Sequence, residues 1–577
     1  MTKLSTELNV YGLCRDFIED NSTWLGENRT GWLQGLCRSR SLKQLSAISS
    51  HPRARVTSAR DPKFYLQVEA FFKKNAAFTD KTQARDSAEL TFERGERICR
   101  ITNKRLDHYY AHDHRLDDRL KLLIGRSIRW IDTVLGDFGS FLEVLPSEIR
   151  LTSGATASSP RNASAPPLKI RRTLKCYPGT APYLHALTAH YGLSKVCKVQ
   201  VVPWNRVEFV PKNWKTDRTI ACEQDGSLPF QLAFDAYAKR RLRRFGIDLS
   251  DQSPNQVDAY QGSIDGSFTT IDMSMASDTV AFNTVAWLLP QEWFCYLKAH
   301  RASHYQLQKC TQKYAKFSSM GNGATFALET LIFAAFARAC GSRRGHVYGD
   351  DVTIEPEFVP DFLRLLRFFG FIPNEEKSCL RGPYRESCGV HYYNGELITP
   401  FYIRSTDAWD KPNAAHNVNG LAAVSEYGKV WEHLKRFCQK RNLLLVPASE
   451  STTTGVHVHP TIAHNLKLFR KSHPDKRGGW GLDAKVYSQV SASSDASDLQ
   501  GAILWHLRAS TRRLKPVPRG VPGNLWPLIW SMGLESSKRY TTLRKDGRKY
   551  RQRWAFWEIQ KEGYRASLYG WSEFLTS

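Results

Sequence analysis

Long apolar runs, paired cysteines and acidic residues are all scarce in this chain of 577 residues. No stretch reaches the 18 apolar residues that a membrane-spanning helix needs; the longest candidate, Leu331 to Ala337, is followed at once by Arg338. The opening MTKLSTELNVYGLCRDFIED is polar and has no apolar signal core. The twelve cysteines stand singly from Cys14 to Cys438, with no C-x-x-C pair and no dense cluster. That argues against a disulfide framework and predicts free thiols in a reducing compartment. No internal repeat is visible, and no long basic amphipathic helix points to a membrane surface. A soluble cytoplasmic protein is expected.

Acidic residues number 56 against 82 Lys and Arg, a net charge of +26 spread along the chain rather than confined to a tail. The natural partner of such a surface is a polyanion, and nucleic acid fits best. What the chain does have is apolar material for folding, 41% hydrophobic and 12% aromatic residues, so it is globular rather than disordered. Its length exceeds what one hydrophobic core supports, which predicts several subdomains.

Residues 1–150 carry apolar positions at three-to-four spacing, as in RLDDRLKLLIGRSIRWIDTVL, and read as helical. TSGATASSPRNASAPP, residues 152–167, reads either as an inert connector or as a flexible loop that touches substrate. From about 168 to 404 short strand-like runs alternate with helices, the α+β pattern. Residues 405–577 read as helical and irregular, with Trp526, Trp530, Trp554, Trp557 and Trp571 set among Lys and Arg. Such aromatics either stack on bases or build a small core with basic edges.

Chemistry concentrates in the middle third. Val347-Tyr348-Gly349-Asp350-Asp351-Val352-Thr353-Ile354 reads as a β-hairpin holding two carboxylates at its tip. Adjacent anions repel, and a divalent cation is the usual remedy. A third acid, Asp272 in TIDMSMASD, lies 78 residues upstream (350 minus 272), room for a helical excursion before the chain returns beside the first strand. Three acids at one sheet edge can hold two magnesium ions for phosphoryl transfer. Between them, Gly321-Asn322-Gly323 opens a helix: it either exposes backbone N–H groups to a substrate or simply caps that helix. Upstream, Lys212, Lys215 and Arg218 recur every third residue in VPKNWKTDR and can converge on a triphosphate. Lys239-Arg240-Arg241-Leu242-Arg243-Arg244 follows, a solvated basic face or a phosphate-backbone contact.

Taken together, VPKNWKTDR, RRLRRFGIDLSDQSPNQ, TIDMSMASD, SSMGNGATF, YGDD and RESCGVHYYNGELITPFYIR resemble the RNA-directed RNA polymerase subunit of small positive-strand RNA bacteriophages, the levivirus replicase β chain. The resemblance is ordered from about 205 to 404 and weak before 200 and after 410. It departs at Ala324, where the family more often has an aromatic, and at Gln224, where a proline is common. It implies an α+β right-hand polymerase: residues 1–265 as N-terminal region and fingers, with a nucleotide-gripping segment at 205–223. Residues 266–404 would be the palm, an antiparallel sheet plus helices with a fingers-proximal insertion at about 290–317. Residues 405–577 would be thumb and basic aromatic region. In that family's terms Asp272, Asp350 and Asp351 bind two Mg2+ ions, with Mn2+ as a substitute. Lys215 and Arg218 grip the incoming triphosphate, Asp278 and Asn322 read the ribose 2′-hydroxyl, and Lys377 protonates leaving pyrophosphate. The implied partners are RNA template and product, nucleoside triphosphates, host elongation factors Tu and Ts and a ribosomal small-subunit protein, in the host bacterial cytoplasm and away from membranes.

The expected activity is RNA-dependent RNA polymerisation on a phage genome. A reverse transcriptase shares the paired aspartates but usually excludes the 2′-hydroxyl with a bulky residue, and a non-catalytic RNA binder gives no reason for three acids in a basic chain. His108 and His112, at i and i+4, and the alternating His457 and His459 lack completing ligands and are set aside as metal sites.

Overall fold

The computed structural model describes residues 8–50, 60–150, 154–160, 173–190, 198–403, 410–425, 427–448 and 450–458, Thr152, Lys169, and the strands Arg470–Pro474, Trp480–Gln489 and Tyr550–Glu558. Up to residue 150 the described chain is helical, as its periodicity requires. The longest element, Lys81–Ala111, starts where the Asp80 carboxylate accepts from the N–H groups of Thr82 and Gln83.

The main core is organised around the helix Thr325–Cys340. Leu328, Leu331, Ile332, Phe333, Ala335 and Phe336 are fully buried, so apolar residues surround the whole helix rather than striping one face. The apolar run at 331–337 is thus the interior of a helix packed by Asp118–Leu135, Leu228–Arg244 and Val359–Phe369. Each large side chain buried there contributes roughly 1.5–3 kcal/mol. Among the described residues no helix is long and apolar enough to cross a membrane.

Beside this helix lies a three-stranded antiparallel sheet whose middle strand is Asp351–Ile354, flanked by Val347–Tyr348 and Thr269–Ile271. A separate four-stranded sheet is built from the hairpin Trp204–Pro211 and Asp217–Cys222 plus His304–Leu307 and Cys310–Lys313. Strands of the 290–317 segment therefore complete the sheet that carries the Lys212 hairpin. The fold is α+β, as expected.

A second core joins the two flanks of the chain. Leu13, Phe17, Phe64 and Phe71 pack with Val418, Leu421, Trp431 and Leu434. Polar contacts fix the arrangement: Gln67 exchanges hydrogen bonds with the backbone of Phe401 at 3.1 and 2.9 Å, and the Asp20 carboxylate accepts from the N–H groups of Lys429 and Val430 at 2.7 and 2.9 Å. Regions separated by more than 300 residues in sequence thus share one interior, which local patterning does not reveal.

Three local expectations change. The small-residue segment after 152 is pinned where described: Thr156, Ser158 and Ser159 donate their hydroxyls to the Asp225 carboxylate, and the Ala157 N–H donates to the Glu223 carbonyl at 2.9 Å. Small residues are needed there because three hydroxyls crowd one carboxylate. The region beyond 405 is not only helical and irregular, since Trp480–Gln489 pairs antiparallel with Arg470–Pro474 and with Tyr550–Glu558. Its sequence YRQRWAFWE places Tyr550, Gln552, Trp554 and Phe556 at every second position, a period of two with Arg551, Arg553 and Ala555 between them. Trp526, Trp530, Trp571 and His459 lie outside the described residues.

The third change concerns the cations at 239–244, which tether the helix they sit on. Lys239 pairs with Asp235 at 2.7 Å, Arg240 with Glu148 at 2.7 Å and Arg243 with Asp248 at 2.8 Å, while Arg241 donates to the Val134 carbonyl at 2.6 Å. Most of this run is thereby committed to intramolecular partners. As for the histidines, the rings of His108 and His112 stack at 4.7 Å, and His112 Nδ1 bonds the His108 carbonyl oxygen. His457 is buried, its N–H donating to Asn419 at 2.8 Å.

Candidate active site

The hairpin tip forms because Gly349 takes φ 61°, where only glycine is comfortable, and because a Cβ there would lie 2.4 Å from the Phe326 ring. Three outside groups fix it. Thr330 Oγ1 accepts the Gly349 N–H at 3.0 Å, Asn255 Nδ2 donates to the Asp351 carbonyl at 3.2 Å, and the Asp258 carboxylate accepts from Thr353 Oγ1. The tip is held rigidly against the central helix.

Register brings the third acid to it. Ile271 stands opposite Val352 in antiparallel register, so Asp272, one residue on, comes beside Asp351, one residue back. Their fields interact. Burial first, then Glu386, Asp350 and Asp272 push Asp351 up to about 7, and burial followed by Asp272 raises Asp350. An all-oxygen donor set whose members repel one another suits a hard divalent cation, so the residues fit magnesium. Among the described residues, however, no three such side chains stand in a ready coordination geometry. The Asp272 carboxylate is engaged: its Oδ2 accepts from Asn374 Nδ2 and from Lys377 Nζ, both at 2.9 Å.

Lys377 therefore sits on the acids rather than in an empty loop. Burial disfavours its charge, but Asp272, Glu386 and Asp351 outweigh that and raise it above an ordinary lysine. The field of the same acids reaches Lys212. Burial lowers its pKa, Arg218 and Lys377 lower it further, and Asp272 and Asp350 oppose them. Arg218 lies opposite Val210 on the neighbouring strand. Lys215 is elsewhere: at the exposed hairpin tip its ammonium lies over the Trp214 ring, 5.4 Å from the centroid. Spacing three thus sets Lys212 within the field of the carboxylates and Arg218 beside Lys212, while Lys215 lies apart at the turn.

The two proposed sugar readers are partly committed. Asp278 Oδ1 pairs with the buried ammonium of Lys316 at 2.8 Å, and Lys316 also lies 3.8 Å from Glu96. Asn322 Oδ1 accepts the Ala324 N–H at 2.9 Å, closing the turn that leads into the helix, and its amide nitrogen makes no hydrogen bond among the described residues. Lys316 and Asn322 line one cavity of about 10 Å3, roughly the room of a single water. The loop is pressed on the Lys212 sheet: Gly321 has φ 105°, a Cβ on it would meet the Ala221 carbonyl oxygen at 2.2 Å, and the Ala221 N–H donates to Met320 at 2.8 Å.

Two acids escaped the sequence reading. Glu386 sits on the strand Tyr384–Ser387, whose turn uses Cys388 at φ 48° and Gly389 at φ 75°. Burial, then Asp272, raises it against the opposing Lys377. In the segment RESCG the Cys-Gly pair is the sequence signal for this hairpin turn. Glu329 lies inside the central helix, 6% exposed, and only its charge in an apolar run could have flagged it. Burial, then Asp350 and Asp278, hold its carboxyl well above the usual range.

The family described as RNA replicase, beta-chain, matches residues 49–410, and the chain belongs to it. The match begins well before the motif set at 205. The chain is 36% identical over 371 residues to the RNA-directed RNA polymerase subunit beta of Qbeta virus (strain MX1), covering 62% of each chain. It is 40% identical over 248 residues to the RNA-directed RNA polymerase beta chain of Escherichia phage MS2, covering 42% of this chain and 45% of that one. The aligned part thus spans less than two thirds of either relative's length. Among solved structures, the RNA-dependent RNA polymerase of a human picobirnavirus is similar at 16% identity and TM-score 0.30 over 41% of this chain and 55% of that one, too slight a likeness to carry an argument.

Proposed function

We propose that this chain is an RNA-dependent RNA polymerase that copies a single-stranded phage RNA genome from nucleoside triphosphates. The observation that carries the reading is the register that sets Asp272 beside Asp351 at the hairpin tip, with Lys212 within electrostatic reach of Asp272 and Asp350. Carboxylates facing a lysine suit a triphosphate that brings both anionic oxygens and a cation. Asp272, Asp350 and Asp351 would hold two divalent ions, Mg2+ with Mn2+ able to replace it, which when bound activate a 3′-hydroxyl and neutralise the departing pyrophosphate.

The chain's own groups do the rest. Lys212 and Arg218 bind the triphosphate, with Lys215 at the outer edge of the same hairpin. Asp278, oriented by Lys316, and the amide of Asn322 read the ribose 2′-hydroxyl. Lys377 neutralises Asp272. A proton donor works best with a pKa near the working pH, and a raised lysine is poorly matched to protonating pyrophosphate until substrate draws it off that carboxylate. The three-stranded sheet with the central helix would be a palm (266–404), the hairpin of Lys212 (within 1–265) together with the strands of the 290–317 insertion that complete its sheet would belong to the fingers, and the region from 405 would be a thumb. Host elongation factors Tu and Ts and a ribosomal small-subunit protein are the proposed partners, in the bacterial cytoplasm.

The test is extension of an RNA primer-template by the full chain, with and without desalted bacterial extract, comparing ribo- and deoxyribonucleotides. Magnesium-dependent ribonucleotide incorporation supports the reading. Strong salt-sensitive RNA binding with no product under any condition overturns it in favour of a binding protein.

A further inference from the structure

The central helix touches both halves of the proposed site. Its first turns pack on the strand Val347–Tyr348 and on the 3-10 turn Ala276–Asp278. Phe326 meets the Tyr348 ring edge-on at 5.2 Å, and Thr330 takes the Gly349 N–H. Glu329 lies between these two residues in sequence, one turn after Thr325. It is 6% exposed, and its Oε2 has no hydrogen-bond partner. A carboxyl oxygen buried without a partner costs free energy that an apolar residue of similar size would avoid. Its neighbours in the electrostatic field are Asp350, a proposed holder of the metal, and Asp278, a proposed reader of the sugar.

The other groups at that sugar position have part of their capacity spent, Asp278 on Lys316 and Asn322 Oδ1 on Ala324. Oε2 of Glu329 is one of the buried oxygens there left unsatisfied, with Ser318 Oγ and Glu96 Oε1. A ribose hydroxyl donates and accepts, so it can satisfy the Glu329 oxygen in either protonation state of the acid. A 2′-deoxyribose cannot. Resting on the polymerase reading, we propose that Glu329 is a specificity-determining residue whose carboxyl takes up the 2′-hydroxyl of the incoming ribonucleotide. Selection then works in both directions: ribose relieves an unsatisfied oxygen, and deoxyribose leaves it buried and unpaired.

The experiment compares the full-length wild type, Glu329→Gln and Glu329→Leu, all with desalted bacterial extract, for kcat/KM with ATP and with dATP on one RNA template. Thermal denaturation of each purified chain is measured alongside. Glu329→Leu is expected to lower the ATP to dATP ratio on the order of tenfold to a hundredfold, through ATP, while raising the melting temperature because the unpartnered oxygen is gone. Glu329→Gln, which keeps a donor and an acceptor, is expected to hold the ratio within about threefold. An unchanged ratio in Glu329→Leu overturns the assignment, as does an equal fall with both sugars accompanied by a lower melting temperature in both variants, the mark of a packing role. If the wild type incorporates no nucleotide at all, the polymerase reading falls first and this assignment with it.

Discussion

Lys377 Nζ lies 2.9 Å from Asp272 Oδ2, although more than half of the lysine side chain, 58%, is open to solvent. A cation there and a divalent ion compete for one carboxylate. Lys377→Met is therefore expected to lower the magnesium concentration needed for half-maximal incorporation by roughly two- to fivefold. Titrating magnesium against initial rate checks it, and a half-saturation point that rises in the variant contradicts the competition.

Asp350→Asn removes one charge from the tip without changing its shape. Incorporation should fall by about a thousandfold, while circular dichroism and RNA affinity stay close to wild type. Near-normal polymerisation by this variant would show that the hairpin does not hold the catalytic ions.

Asp351 titrates near pH 7 in the folded chain against an ordinary carboxyl in the unfolded one. The folded state binds the extra proton, so this group's contribution favours folding at low pH and is lost as pH rises from about 4 to 7. Asp351→Asn should then be inactive yet more stable at pH 8, by on the order of 1–3 kcal/mol in the presence of a chelator, with the gain vanishing toward pH 4. Chemical denaturation at the two pH values measures it.

Lys212 lies within the electrostatic field of Asp272 and Asp350, and Lys215 covers Trp214. Lys212→Ala is expected to raise KM for nucleotides about tenfold and Lys215→Ala less than about twofold. Steady-state kinetics with each variant separates them, and equal effects would mean that the hairpin grips the triphosphate through its tip.

Gly321→Ala puts a Cβ 2.2 Å from the Ala221 carbonyl oxygen at φ 105°. A loss on the order of 2–4 kcal/mol is expected, with the Asn322 loop displaced from the sheet. Equilibrium unfolding tests the magnitude.

Much of the site was legible because its chemistry is local. YGDD flanked by strand formers is a hairpin whatever surrounds it, and Asn322 with two glycines opens a helix by backbone preference alone. Asp272 was found through its strand-to-turn pattern and the resemblance of the motif set. Glu386 and Glu329 were not found, since an acid's importance depends on which other acids the fold brings near. The ion-pair partners of the cations at 239–244 were out of reach for the same reason: Glu148 and Asp248 lie outside the run, one of them 92 residues before Arg240 (240 minus 148).

The amino-acid order by itself settled the α+β character, the hairpin bearing two aspartates and the strongly basic net charge, because these follow from periodicity, turn chemistry and composition. Tertiary structure decided the pairing of Ile271 with Val352 that brings Asp272 to the tip, the seating of Lys377 on that acid, and the shared core of the two flanks. The physical reason is range. Backbone preference acts over a few residues, whereas electrostatic pairing and apolar burial are set by distance in space, which only the folded chain defines.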